Sequence, residues 1–222
     1  MVVMSMETAK RPAGRPRREP GAPTHRKVTE QIKYAEASNW TRAIDHARFV
    51  LGRPMTVHVT VQWQFAPSAT PEPKRVSDLL NDLAIWIRRR THHRAVWAYS
   101  REGGLKKGVH LHLLVHVPPH LIEDFTVAVK RWIEAKADSF EARAVRVDPI
   151  HLPTLDNLKS YLLKEGDDRV HEACGVLAHH RAKRNGYPVP GKRMGVSHSI
   201  NATARSRPAM PLNGPESAQE PH

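Results

Sequence analysis

The chain holds a single cysteine, Cys174, so no disulfide can form within it, and a reducing compartment is the expected setting. Cys174 reads as a small buried side chain. No apolar run approaches the ~20 residues that a spanning helix requires, which excludes a helical membrane segment. The opening Met1-Val2-Val3-Met4-Ser5-Met6 has neither the apolar length nor the basic start of a signal peptide, so a cytoplasmic protein with no membrane partner is expected. Acidic residues are scarce. Against 35 Lys and Arg stand 22 Asp and Glu, and the resulting charge of +13 favours a polyanion through long-range attraction and counterion release. Nucleic acid is the first candidate partner. The 222 residues suffice for one domain with a full core and tails, but not for two such domains.

Residues 8–27 are rich in Arg, Lys, Pro and Gly and nearly devoid of large apolar side chains, so residues 1–27 are expected to form a disordered basic arm. Gly14-Arg15-Pro16 in that arm resembles the core of a minor-groove AT-hook, although Ala13 stands where such peptides carry Arg. Residues 28–180 are expected to form the domain. Residues 181–222, again rich in Gly, Pro, Ser and cations, are expected to be a mostly irregular basic tail.

Within the domain the hydrophobic period alternates between helix and strand. Trp40, Ile44, Ala47 and Leu51 have helical spacing within residues 28–51, and Gly52 with Pro54 ends the pattern. Residues 55–63 alternate Val57, Val59, Val61 and Trp63 with Thr56, His58, Thr60 and Gln62, as a half-buried strand does. Ser77 is a candidate N-cap for a helix bearing Leu79, Leu83 and Ile87 and ending in Arg88-Arg89-Arg90, where cations suit the dipole. A strand over 95–102 leads through the turn residues of 103–108 into a second strand, which predicts a hairpin. A helix over 119–136, a strand over 143–147 and a helix over 154–165 complete the order. The sequence β-α-β-β-α-β, then a helix, predicts an α+β fold: a ferredoxin-like (RRM-like) antiparallel sheet with helices on one face.

The chemistry gathers around one strand. In Val109-His110-Leu111-His112-Leu113-Leu114-Val115-His116-Val117, alternation places Val109, Leu111, Leu113, Val115 and Val117 on one side and His110, His112, Leu114 and His116 on the other. Two imidazoles two residues apart can grip one ion. Glu102, near the end of the preceding hairpin strand, falls across from His110 and supplies the carboxylate of a divalent-metal site with positions left open. On the last helix Leu155, Leu158 and Leu162 share one side, whereas Asn157, Tyr161 and Lys164 project from another. A phenol near pKa ~10 becomes an effective nucleophile only beside a cation, which Lys164 or a metal could supply. His58 and His116 are further candidates to touch metal or nucleic acid. Lys106, Lys107, Arg88, Arg89 and Arg90 are candidate phosphate contacts. The glycines of 103–108 do not make a nucleotide-binding loop, because Val109 stands where its lysine is needed. His171, Cys174, His179 and His180 lack the paired-Cys spacing of a structural zinc.

The set Glu102, His110-Leu111-His112 and Lys159-Ser160-Tyr161-Leu162-Leu163-Lys164 resembles the HUH endonucleases and, within them, the rolling-circle replication initiators, over about residues 55–168. The resemblance implies an HUH palm in which Glu102, His110 and His112 hold Mg²⁺ or Mn²⁺. It further implies that Tyr161, the single candidate tyrosine on its helix, attacks a DNA phosphate with Lys164 beside it, leaving a 5′-phosphotyrosyl link and a free 3′-OH. The expected activity is site-specific nicking and joining of single-stranded DNA or an origin hairpin, initiating rolling-circle replication of a plasmid or phage. Without a nucleotide-binding loop, unwinding would fall to a host helicase or to substrate already single-stranded. Three other readings remain open: a one-tyrosine HUH transposase, a non-catalytic nucleic-acid-binding module of the same fold, and an iron-dependent oxygenase using the same two His and carboxylate. The polar strand face offers His, Thr and Gln in place of the stacking aromatics of an RNA-recognition sheet.

Overall fold

The computed structural model describes residues 28–105 and 108–206. The basic arm, the AT-hook-like tripeptide, Lys106, Lys107 and the last sixteen residues lie outside the described residues. In chain order the elements are β1 (Val28–Thr29), α1 (Tyr34–Phe49), β2 (Val57–Gln62), α2 (Glu72–Thr91), β3 (Trp97–Glu102), β4 (His110–Val115), α3 (Ile122–Glu134), β5 (Val145–Pro149), α4 (Leu155–Leu162), α5 (Asp168–Ala173), α6 (Ala178–Arg181), β6 (Val189–Pro190), β7 (Met194–Val196) and α7 (Ala202–Arg205). The fold is α+β. Its main sheet is antiparallel with five strands in the order β5-β2-β4-β3-β7, and β1 pairs separately with β6.

Alternation along the strands sorts the sheet into two faces. Val57, Val59 and Val61 of β2 meet Leu111, Leu113 and Val115 of β4 and Val145 of β5 on one face. Helix α2 covers them with Val76, Leu79, Leu83 and Ile87, and α3 with Phe125, Val129 and Ile133, both at the three-to-four-residue spacing of one helical side. Each fully buried large side chain there contributes about 1.5–3 kcal/mol.

The second face is not left bare, which corrects the expectation of helices on one face only. Ala98 and Leu114 interrupt its polar alternation at the end of the sheet where β3 begins, and with Met194 they form an apolar floor that α1 covers through Trp40, Ile44 and Ala47. Leu155, Leu162 and Leu163 join the same cluster, so α4 lies beside α1. The opposite end of this face, bearing His110 and Glu102, stays polar.

Several boundaries and one whole segment differ from the sequence reading; α4 stops at Leu162, short of the expected 165, and leaves Lys164 in the following turn. Helix α2 starts at Glu72, preceded by Pro71 and with Pro73 in its first turn, where a missing N–H costs nothing. Ser77 is therefore inside the helix, its hydroxyl donating to the Pro73 carbonyl at 3.0 Å, and caps nothing. Residues 28–33 precede α1 and carry β1. The expected irregular tail is in part structured: β7 pairs with β3 through Ala98, Tyr99 and Ser100, and β6 returns to β1. Buried Arg193 fixes that return, donating to the carbonyls of Thr29, Glu30, Arg101 and Tyr187. Buried Arg101 completes it by pairing with Glu72 and donating to the carbonyls of Pro190 and Lys192. Cys174 is half-buried, not fully enclosed. Among the described residues, no helix is long and apolar enough to cross a membrane.

Candidate metal centre

The β3–β4 register sets Glu102 opposite His110 and Ser100 opposite His112, so the three candidate ligands share one face by strand geometry alone. One ligand atom from each of Glu102, His110 and His112 lies within 4.8 Å of the others, and all three side chains are buried. Glu102 Oε2 stands 3.4 Å from His110 Nε2 and 3.5 Å from His112 Nε2. Ligands about 2.1 Å from an octahedral ion are about 3 Å apart, so these separations are within a few tenths of an ångström of a coordination edge. His112 Nε2 is moreover a buried nitrogen with no hydrogen-bond partner among the described residues. An orphaned imidazole nitrogen facing a carboxylate is costly to a fold and useful to a cation. The group fits a divalent metal ion.

His58 is placed to select the tautomer that such an ion needs. Its Nε2 lies 3.1 Å from His112 Nδ1, with Thr60 Oγ1 3.4 Å from each nitrogen. When His112 Nδ1–H donates to His58, the His112 Nε2 lone pair faces Glu102. Burial, then the neighbouring His112, lowers the His58 pKa to about 4, so His58 is neutral at physiological pH and able to accept from His112. Burial likewise lowers His112. Burial opposes ionisation of Glu102, yet the contacts of His110 and His112 and the Lys164 ammonium outweigh it and hold the carboxyl below the usual carboxylate range.

These shifts give a pH prediction for metal-free protein. A His58 pKa lower in the folded than in the unfolded chain contributes stability that is complete above pH ~6.5 and is lost as pH falls towards 4. The expected loss from His58 between pH 8 and pH 5 is about 2 kcal/mol by urea unfolding of EDTA-treated protein. Glu102 acts in the same direction only below the ordinary carboxylate range. A His58→Gln variant that keeps the full slope between pH 8 and 5 would contradict this assignment.

Helix α4 ends over the cluster because the Ser100 hydroxyl donates to the Leu162 carbonyl, tying the helix terminus to β3 at 3.3 Å. Tyr161 consequently sits edge-on to His112, ring centres 6.1 Å apart, and edge-on to His180 at 5.6 Å. Lys164 is in the turn after the helix, 2 % exposed, its ammonium paired with Glu102 Oε2 and 3.9 Å from the centre of the Tyr161 ring. The five predicted site residues Glu102, His110, His112, Tyr161 and Lys164 are thus brought together. The others are not. Arg88, Arg89 and Arg90 end α2 on the far side of the sheet, at the end where β3 begins, and Arg90 pairs with Asp124. His116 Nδ1 is held by the Pro54 carbonyl at 2.8 Å, away from the cluster.

Residues that the sequence reading placed in the tail complete the site. A cleft of about 670 Å³ is lined by Glu102, His110, Tyr161 and Lys164 together with Lys183, Arg184, Asn185 and Tyr187. Asn185 Nδ2 donates to Glu102 Oε1 at 3.2 Å. His180 faces Tyr161 and is fixed by Ser160, whose hydroxyl accepts from Leu177 N–H and lies 2.8 Å from His180 Nδ1. Nothing in residue spacing links Asn185 to Glu102, 83 positions away.

Comparison of the chain with protein-family models, with curated proteins and with solved structures found no significant match.

Proposed function

We propose that the chain is a metal-dependent endonuclease and strand transferase for single-stranded DNA, of the HUH kind, that uses Tyr161 as its nucleophile and serves as a replication initiator. The observation that carries this reading is the buried Glu102-His110-His112 group directly beneath Tyr161 and Lys164. On this reading the strand order β5-β2-β4-β3 is the ferredoxin-like 4-1-3-2 arrangement with β7 added at its edge.

A Mg²⁺ or Mn²⁺ ion held by Glu102, His110 and His112 would supply Lewis-acid polarisation of a scissile phosphate. Tyr161 forms the new phosphorus–oxygen bond as the bond to the 3′-oxygen breaks; the phenol gives up its proton and the 3′-oxygen gains one. The link keeps the phosphodiester's bond energy for rejoining by a 3′-OH. His58 holds His112 in its ligating tautomer, and Lys164 places positive charge against both Glu102 and the tyrosine ring. Glu102 reaches the cluster from β3 and not from the tyrosine helix, which favours an initiator over a one-tyrosine transposase.

Incubation with a randomised single-stranded DNA pool and Mn²⁺ is expected to give a nuclease-sensitive protein–DNA band on a denaturing gel, absent with EDTA. Absence of any such band with pools of several lengths would overturn the reading.

A further inference from the structure

The segment 183–187 has a backbone held from both sides by buried charge. Glu165, 2 % exposed, accepts the backbone N–H groups of Asn185 and Gly186 at 2.9 and 3.0 Å. Gly186 takes the left-handed φ of +66° that this turn requires. At the other end, fully buried Arg193 grips the Tyr187 carbonyl. Tyr187 also passes so close to Gly103 that a β-carbon there would stand 2.9 Å from Tyr187 Cβ. Burying a carboxylate and a guanidinium is expensive unless each is fully hydrogen-bonded; here Glu165 holds two N–H groups of the loop, and Arg193 ties the loop's end to Thr29, Glu30 and Arg101.

The side chains of that loop remain accessible. Lys183 is exposed, Arg184 and Tyr187 are half-buried, and all three line the cleft that Glu102 and His110 also line. Arg184 lies 3.9 Å from the exposed Asp168 carboxylate, a separation at which water and salt screen the pair. Two cations and an aromatic ring on a rigid wall match the phosphate and base of a nucleotide, since base–aromatic stacking and backbone charge are the two parts of single-strand recognition. A wall fixed before binding also avoids the cost of ordering a loop on contact.

We propose that Lys183, Arg184 and Tyr187 form a nucleotide subsite for single-stranded DNA, with the cations on the phosphate and the Tyr187 ring stacked on a base beside the phosphate presented to Tyr161. The subsite rests on the endonuclease reading for its position relative to cleavage, but binding can be measured without it. The test uses the full chain in EDTA, a fluorescein-labelled mixed-sequence single-stranded oligonucleotide, and anisotropy over a salt series. Removing two phosphate contacts with Lys183→Ala/Arg184→Ala is expected to reduce the slope of log K against log salt by about 1.4. Tyr187→Leu is expected to weaken binding about 5- to 150-fold, with Tyr187→Phe retaining wild-type affinity. Thermal unfolding of each variant separates a lost contact from a lost fold. A wild-type slope in the folded double variant, or no binding by the wild-type chain, would overturn the subsite. Covalent adducts with an unchanged slope would sink the subsite alone; a reduced slope without adducts would leave it standing and sink the nuclease.

Discussion

Tyr161→Phe is expected to abolish the Mn²⁺-dependent covalent DNA adduct, a loss of at least about 10³-fold, while leaving DNA binding intact. The substitution deletes the proposed nucleophilic oxygen and keeps the ring. The ring contacts that seat Tyr161, edge-on to His112 and His180 and under the Lys164 ammonium, need only the aromatic system, so Phe preserves them. A stability change of no more than about 1.5 kcal/mol is therefore expected. The denaturing gel reads the adduct, anisotropy reads the binding, and thermal unfolding reads the fold. Adduct formation by the folded Phe variant would assign the nucleophile to another residue.

Arg193→Ala is expected to destabilise the protein by about 3–5 kcal/mol. The guanidinium is fully buried and serves four backbone carbonyls, at 3.0 Å for Thr29, 2.8 Å for Glu30, 3.4 Å for Arg101 and by a short contact for Tyr187. A buried carbonyl left without a donor costs about 1–3 kcal/mol, and local opening to water will spare part of that sum. Burial lowers the Arg193 pKa, a sign of the desolvation that these carbonyls offset. Lysine keeps the charge but not the fork, so Arg193→Lys should recover only part of the loss. Urea unfolding measures both. An Arg193→Ala variant within about 1 kcal/mol of wild type would show that the return of the chain from β6 to β7 does not depend on this residue.

The centre of the fold is legible in the sequence because period and turn chemistry agree there. Two-residue alternation assigned His110 and His112 to one face, and the turn residues between β3 and β4 brought Glu102 opposite His110, which is the register observed. The helical spacing of Leu79, Leu83 and Ile87 likewise marked the buried side of α2. What escaped has identifiable causes. Strands of two and three residues, β6 and β7, are too short to show any period. Arg193, next to Lys192 in a basic stretch, reads as a solvated charge because its carbonyl partners belong to distant segments. Trp40, Ile44 and Ala47 revealed that α1 packs on the domain, but only Ala98 and Leu114, set among polar neighbours, hint at which face it covers. The proline-led start of α2 competed with a plausible serine cap and prevailed. A motif resemblance singles out Tyr161 and Lys164, which line the cleft, whereas Asn185, Lys183, Arg184 and Tyr187 carry no local pattern, since tertiary folding alone brings them there.

The most direct measurement is Mn²⁺ binding to EDTA-treated protein, followed by electron paramagnetic resonance of the free ion, for the wild-type chain and for His112→Ala. The account predicts one saturable site per wild-type chain and its loss when the His112 nitrogen is removed. No saturable binding by the wild type, or a site of unchanged affinity in folded His112→Ala, would contradict the assignment of Glu102, His110 and His112 as a metal centre.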